Sequence, residues 1–175
     1  MNYFILIMSF LSFFSGVALK SQFYIRSNSF GDGEAIDVKY TCDGENISPH
    51  LAWQELPEGT KDLALIVDDP DAKPVAGKTF VHWIVINLPS EDKELLENMN
   101  VGNDFPDANE LKNDYGVTKY KGPCPPSGTH TYRFTLFALK EFISLDKTLN
   151  ADEFADKFKD KILGTARITG NYSRK

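Results

Sequence analysis

The stretch that most constrains the fold is residues 63–88, LALIVDDPDAKPVAGKTFVHWIVINL. It consists of an apolar run, an acidic segment punctuated by proline and glycine, and a second apolar run with a histidine near its start. Apolar runs bounded in this way are typical of two strands joined by a loop. Residues 121–139, KGPCPPSGTHTYRFTLFAL, repeat the order of loop, histidine and strand. We therefore expect polar groups to collect where strands end, since loops on a rigid sheet usually carry functional sites.

The remaining sequence predicts further strands and one clear helix. Residues 151–163, ADEFADKFKDKIL, place Phe154, Phe158 and Ile162 four positions apart, which is the spacing of one buried helical stripe, and Gly164 is expected to end the helix. The fold class is therefore mainly β with one late helix and a final strand. The other expectations are strands at 35–40, 61–69, 80–88, 129–139 and 165–173, one or two helical turns within 90–99, and a long loop at 101–127.

Length and charge narrow the class of protein. A chain of 175 residues with 42% hydrophobic content can bury one good core, and we expect a single domain over residues 23–175. The formal net charge is −6, and the sequence contains no stripe of basic residues. Because binding to nucleic acid depends on basic residues that replace counterions, nucleic acid is not an expected partner.

The N-terminus predicts export. Residues 4–14 form a short apolar run, and Ser15, Gly16, Val17 and Ala18 supply the small residues that precede a signal-peptide cleavage site. The alternative is an uncleaved anchor, but the run is short for a hydrocarbon core of roughly 30 Å. We therefore expect residues 1–18 to be a cleaved signal, with a periplasmic or secreted product and no stable membrane span after cleavage.

Export affects the interpretation of the two cysteines, Cys42 and Cys124. In an oxidising compartment an even cysteine count favours a disulfide. Two thiols do not form a zinc site by themselves, although His or Asp side chains are able to complete one. We prefer the interpretation as a disulfide bridge.

Strand alternation places four polar residues together with apolar ones. Because alternate residues of a strand point to opposite faces, Asp69, His82, His130 and Tyr132 each fall on an apolar face near a strand end. They meet at one rim if the three faces line the same core. Taken singly, each has a plain structural explanation, such as a satisfied core histidine or a turn-forming aspartate. The apolar residues on these faces are Leu63, Leu65 and Val67; Phe80, Ile84 and Ile86; and Phe134 and Leu136.

Several motifs resemble those of the phosphatidylethanolamine-binding protein family, within it the bacterial and archaeal Raf-kinase-inhibitor-like branch. The resemblance extends, in order, over nearly all of the chain after the predicted signal. The residues that carry it are Thr41-Cys42-Asp43-Gly44, Ser48-Pro49, Asp69-Pro70-Asp71-Ala72, His82-Trp83, Gly122-Pro123, Pro125-Pro126-Ser127-Gly128, His130, Tyr132, Phe134 and Gly170-Asn171-Tyr172-Ser173-Arg174.

The resemblance implies a fold and a site. The fold is a central antiparallel β-sheet packed on a smaller sheet. The site is a pocket at one end of the sheet that binds small anions such as phosphate groups, without a cofactor or metal. The residues implied to line the pocket are Asp69, Asp71, His82, Gly122, Pro123, His130 and Tyr132.

A phosphate beside carboxylates requires compensation, because like charges repel. If Asp69 or Asp71 lies near His82, it favours the imidazolium and raises the pKa of that histidine. The backbone N–H of Gly122 and the hydroxyl of Tyr132 are the expected uncharged donors. Anion binding should then strengthen below roughly pH 6.5, where an ordinary histidine is protonated.

Three functions compete. A binding module for a small anionic or phosphorylated ligand comes first. The family resemblance also implies inhibition of a serine protease or of another protein partner. Two histidines and two aspartates offer the ligands of a metal-assisted hydrolase, but the sequence has neither G-x-S-x-G nor H-E-x-x-H. We therefore expect a binding protein, not an enzyme.

Overall fold

In a computed structural model, which describes residues 22–174, strands predominate. None of the helices in this range is long and apolar enough to cross a membrane. The predicted signal at residues 1–18 lies outside the described residues. The strands are β1 (Tyr24–Arg26), β2 (Glu34–Ala35), β3 (Leu51–Gln54), β4 (Asp62–Asp69), β5 (Phe80–Pro89), β6 (Glu94–Leu95), β7 (Asn109–Glu110), β8 (Thr129–Leu139) and β9 (Ile162–Ser173). The helices are α1 (Lys73–Ala76), α2 (Val101–Asp104) and α3 (Ala151–Phe158), with 3₁₀-helices at Val38–Tyr40 and Pro70–Ala72.

The strands form a large sheet and a small one. The large sheet has the order β2-β9-β8-β4-β5-β7, and the small sheet has the order β1-β3-β6. This confirms a mainly β fold in which a larger sheet packs on a smaller one. The large sheet is not wholly antiparallel, because β2 and β9 run parallel.

The central strand β4 is buried along its whole length, since both faces of the large sheet are covered. Leu65 and Val67 point into the core between the two sheets, where they join Trp53 of β3. Ile66 points the other way, into a second core closed by Phe154 of α3. Burial of apolar surface on both faces is the main stabilising contribution that holds the three layers together.

An extra residue interrupts the regular pairing of β5 with β4. Val67 pairs with Trp83, whereas the next residue, Asp68, pairs with Val81. His82 therefore has no partner of its own on β4. This arrangement is a β-bulge, which locally re-aims the side chains of the bulged strand.

The bulge changes which face each later side chain occupies. Trp83 and Val85 lie in the core between the sheets, and Ile84 and Ile86 lie in the core beneath α3. His82, by contrast, contacts Tyr132 on the side between the sheets. The prediction that Ile84 and Ile86 share a face with His82 is therefore wrong, because one inserted residue moves the side chains that follow it to the opposite face. A second register shift farther along β5 returns Leu88 to the core between the sheets.

Helix α3 is shorter than predicted. Asn150 caps its start, but the helix ends at Phe158, before the predicted residue 163. Ile162 instead pairs with Leu139 at the start of β9, and Gly164 lies inside that strand. Continuous pairing with β8 therefore overrides the helical periodicity, as tertiary contacts often override local propensity.

Three other segments also differ from the prediction. Within 35–40 only Ala35 is in a strand, because Asp37 caps a 3₁₀-helix by accepting from the N–H of Lys39. Residues 90–99 contain β6, whose Leu95 is buried, and no helical turn. The predicted loop at 101–127 contains α2 and β7.

Candidate functional site

A cavity of about 170 Å³ opens at the end of the large sheet where β4 ends and where β5 and β8 begin. Asp69, His82, His130 and Tyr132, which the sequence placed near one rim, all line it. The other lining residues are Ala72, Val75, Ala76, Phe80, Tyr115, Cys124, Pro125 and Pro126.

Asp69 is the last residue of β4 and has both carboxylate oxygens occupied. Its Oδ1 accepts from the backbone N–H groups of Asp71 and Ala72, at 2.9 and 3.1 Å, and so caps the 3₁₀-helix that follows. Its Oδ2 lies 2.7 Å from Nδ1 of His130. Because a carboxylate only accepts, Nδ1 of His130 carries the hydrogen, and the Nε2 side of the ring is left for other partners.

His82, the bulge residue, is held in a defined tautomer. Its Nδ1 lies 2.7 Å from the carbonyl oxygen of Lys121, which can only accept, so that Nδ1 carries a hydrogen. Burial lowers the pKa of His82, and this effect outweighs the opposing effects of the Lys121 carbonyl and the charge of Asp69. The expectation that the pKa of His82 lies above its ordinary value is therefore wrong: the charge of Asp69 does act in that direction, but burial has the larger effect.

Tyr132 presents a free hydroxyl in the same place. The side chain is fully buried, and no residue among 22–174 accepts a hydrogen bond from its hydroxyl, although the backbone N–H of Cys124 lies near the hydroxyl oxygen. Burial also raises the pKa of Tyr132, so the phenol keeps its proton. A buried polar group without a partner costs roughly 1–3 kcal/mol, which makes this hydroxyl a donor in need of an acceptor.

Comparison with known proteins identifies the family of this chain. The family model for phosphatidylethanolamine-binding protein matches residues 26–173. The chain belongs to this family. A UPF0098 protein of Aquifex aeolicus is 44% identical to it, over 97% of each chain.

Two further proteins are similar to this chain. The crystal structure of Escherichia coli YbcL, a member of this family, superposes with a TM-score of 0.78 at 32% identity, over 89% of this chain and all of YbcL. A Mycobacterium tuberculosis protein that carries the name lipoprotein LppC is 36% identical, over 85% of this chain and 71% of its own length.

Three residues that the family resemblance implied for the pocket, Asp71, Gly122 and Pro123, are not among those that line this cavity. The carboxylate of Asp71 is exposed and accepts from the N–H of Thr131, at 2.8 Å, which ties the turn after β4 to β8. The N–H of Gly122 donates to Oδ1 of Asn46, at 2.8 Å, and is not free for an anion. Pro123 accepts from a backbone N–H through its carbonyl. Through these contacts Asp71, Gly122 and Pro123 hold the segments that form the pocket wall.

The wall is further fixed by a covalent bond. Cys42 and Cys124 form a disulfide with their Cα atoms 5.4 Å apart, and Cys124 itself lines the cavity. Gly122 packs so closely on the backbone of residues 40–41 that a Cβ atom there would overlap it. Glycine is therefore required at this position, and the loop has little freedom to move away from the pocket.

The sequence did not indicate the apolar mouth of the pocket. Val75 of α1 is 73% exposed at the rim, and Tyr115 packs edge-on against Phe80, with 4.9 Å between the ring centroids. The Tyr115 loop is positioned by Asp114, which accepts from the N–H of Val81 at 2.8 Å. These contacts join residues more than thirty positions apart, so no local spacing announces them.

The residues that a metal-assisted hydrolase would need are not clustered in the described part of the chain. Among residues 22–174 no three His, Cys, Asp or Glu side chains are grouped so that they could hold a metal ion. Of the two aspartates that the hydrolase alternative invoked, only Asp69 lines the pocket, and its carboxylate is already engaged by backbone N–H groups and by His130.

Proposed function

We propose that this protein is a binding protein, not an enzyme, whose pocket takes a small ligand with a phosphate-type anionic headgroup. The observation that carries the proposal is the hydroxyl of Tyr132, which is buried at the cavity without a protein partner. A ligand oxygen that accepts from this hydroxyl would recover the free energy lost by its desolvation.

The negative charge of Asp69 sets the condition for an anion to bind. When His130 is protonated, its Nδ1–H stays on Asp69 and its Nε2 becomes a second donor, so that the pair is neutral overall. When His130 is neutral, the carboxylate charge is uncompensated and repels an anion.

The mouth of the pocket favours a ligand with an organic part beyond the headgroup. Val75 and Tyr115 expose apolar surface at the rim, with 73% and 43% of each residue accessible. The polar residues sit at the inner end of the cavity on the strands. A headgroup bound there would direct its substituent outward between these two side chains.

Thermal unfolding with increasing concentrations of phosphoethanolamine tests the proposal. At 100 times its dissociation constant a ligand stabilises the folded state by about 2.7 kcal/mol. Tyr132→Phe and His130→Gln should each reduce the shift in melting temperature. Tyr24→Phe serves as the control, because Tyr24 donates to Gln54 on the small sheet, outside the pocket. No shift in the melting temperature of the parent protein would refute the proposal.

We also propose that the protein is exported. A disulfide persists in oxidising compartments, and the relative LppC carries the name of a lipoprotein. Mass spectrometry of protein isolated from its native host, alkylated with and without reduction, tests this. Without reduction, we expect Cys42 and Cys124 to remain joined and to take up no alkylating reagent. Alkylation of both thiols in the unreduced sample would contradict export.

A protein partner is the second candidate, since Val75 leaves a large apolar side chain uncovered at the mouth. For an exported protein, the partner that fits this candidate function is a serine protease, which the protein would inhibit. A panel of serine proteases assayed with the parent protein and with Val75→Asp tests this candidate. Inhibition that the variant loses would support it, and no inhibition of any protease would count against it.

A further inference from the structure

The pocket offers one hydrogen-bond acceptor whose identity is fixed by the fold. Because Nδ1 of His82 donates to the carbonyl of Lys121, the neutral ring leaves Nε2 with a lone pair and no hydrogen. Among residues 22–174 the only hydrogen bond of the His82 ring within 3.5 Å is the one from Nδ1 to Lys121, although the backbone of Gly122 also lies near the ring. His82 is only 2% exposed and lines the cavity, so a ligand that fills the cavity lies against this ring.

The acceptor on His82 and the donor on Tyr132 do not satisfy each other. Their rings stand perpendicular, at 88°, with 5.2 Å between the centroids, and the hydroxyl has no partner. The cavity therefore presents a donor and an acceptor side by side. A ligand that matches both must accept at one atom and donate at another.

We infer that the pocket selects anions that carry a hydroxyl proton, such as the monoanion of a phosphate monoester, over anions of equal size and charge that carry none, such as a sulfate monoester. The inference rests on the proposed function and names the class of ligand. His82 is the residue that determines the specificity, because its Nε2 accepts the proton that the ligand brings.

The chemistry of the two anions explains the difference. The monoanion of a phosphate monoester has a P–OH group that donates to Nε2 of His82 and other oxygens that accept from Tyr132. A sulfate monoester has only acceptor oxygens, so one of them would face the lone pair of Nε2. A buried site rejects a ligand that leaves its polar groups unpaired far more strongly than it rejects a change in apolar size.

Methyl phosphate and methyl sulfate are the matched probes, in calorimetric titration of the full chain at about pH 5.5. At this pH each carries close to one negative charge, since the second pKa of a phosphate ester is about 6. We expect methyl phosphate to bind at least about tenfold more tightly. If both anions bind with equal affinity, the inference is wrong and the proposed function stands. If neither binds, both fail.

Two variants assign the selectivity to His82. His82→Gln replaces the acceptor with an amide that also donates, so the ratio of the two affinities should fall to within about twofold. Tyr132→Phe removes a donor that both anions use, so it should weaken both and leave the ratio unchanged. A ratio that survives in His82→Gln would overturn the assignment.

Nitrogen-15 NMR of the histidine rings gives a readout that does not depend on any variant folding. We expect the parent protein at about pH 5.5 to show His82 as the neutral Nδ1–H tautomer. Its Nε2 resonance should shift upfield when methyl phosphate is added, as for a nitrogen that gains a hydrogen bond. A His82 ring protonated at both nitrogens before addition of the anion would overturn the inference.

Discussion

The two ends of β4 each hold a buried aspartate, but the protein surrounds the two carboxyl groups differently. At the pocket end, both oxygens of Asp69 accept hydrogen bonds, one of them from His130. At the far end, Asp62 is fully buried, and its Oδ1 has no partner in the described part of the chain. Burial raises the pKa of Asp62 to about 7. Burial of a carboxyl group therefore does not mark a site; the partners and the adjoining cavity do.

A third aspartate sharpens the comparison. Asp68 adjoins Asp69 in sequence but points to the opposite face, where both of its oxygens bind Arg133, at 2.7 and 2.8 Å. It also accepts from the N–H of Ala151 at the start of α3. Of two consecutive carboxylates, one fastens the helix to the sheet and the other belongs to the pocket. Strand alternation alone separates their roles.

The largest expected effect is that of Asp68→Asn. It removes the charge that balances Arg133 in a mostly buried pair, and we expect the free energy of unfolding in urea to fall by about 3 kcal/mol. Asp152→Asn is the matched control, because Asp152 contacts the same guanidinium at 3.2 Å from an exposed position. Asp152→Asn should lower the free energy of unfolding by less than about 1 kcal/mol. Equal losses would show that burial does not distinguish the two carboxylates.

Asp62→Asn should act in the opposite direction and only at higher pH. Because the folded protein holds the proton of Asp62 up to about pH 7 and the unfolded chain releases it near 3.8, stability falls as the pH rises between these values. We expect the variant to be similar in stability to the parent near pH 4 and more stable than it at pH 8, by an amount that grows as the pH rises from 4 to 7. Urea unfolding at both pH values measures this, with the exposed Asp160→Asn as control. A gain that is independent of pH would contradict the assignment to this carboxyl group.

The same contrast explains which parts of the site were predictable. Asp69, His130 and Tyr132 lie on regular strands, so alternation and family motifs were enough to bring them to one end of the sheet. The position of His82 was expected, but its bulge was not, because a register shift depends on the partner strand. The direction of its pKa shift is set by the burial of the ring, and a single sequence does not report burial.

Loop-borne parts of the pocket were less accessible to prediction. The Gly122 motif was recognised, yet its N–H turned out to be used by Asn46, which is 76 positions away in the chain. Tyr115 reaches the pocket only because Asp114 anchors its loop to β5. Such contacts are decided by tertiary packing between distant segments, so motif spacing gives the residues of the wall without giving the direction in which their donors point.

The smallest expected effect is the most specific for the pocket. Tyr132→Phe removes a buried hydroxyl without a partner, so the variant should be more stable than the parent by about 1 kcal/mol while it binds anions more weakly. Tyr120→Phe is the matched control, because this buried hydroxyl donates to the carbonyl of Tyr40 at 3.0 Å and its removal should cost about 1 kcal/mol. Opposite signs in urea unfolding would show that the protein maintains a donor for a ligand at the expense of its own stability, as functional sites commonly do. If both variants lose stability equally, the hydroxyl of Tyr132 already has a partner in the free protein, and the argument that it awaits an anion fails.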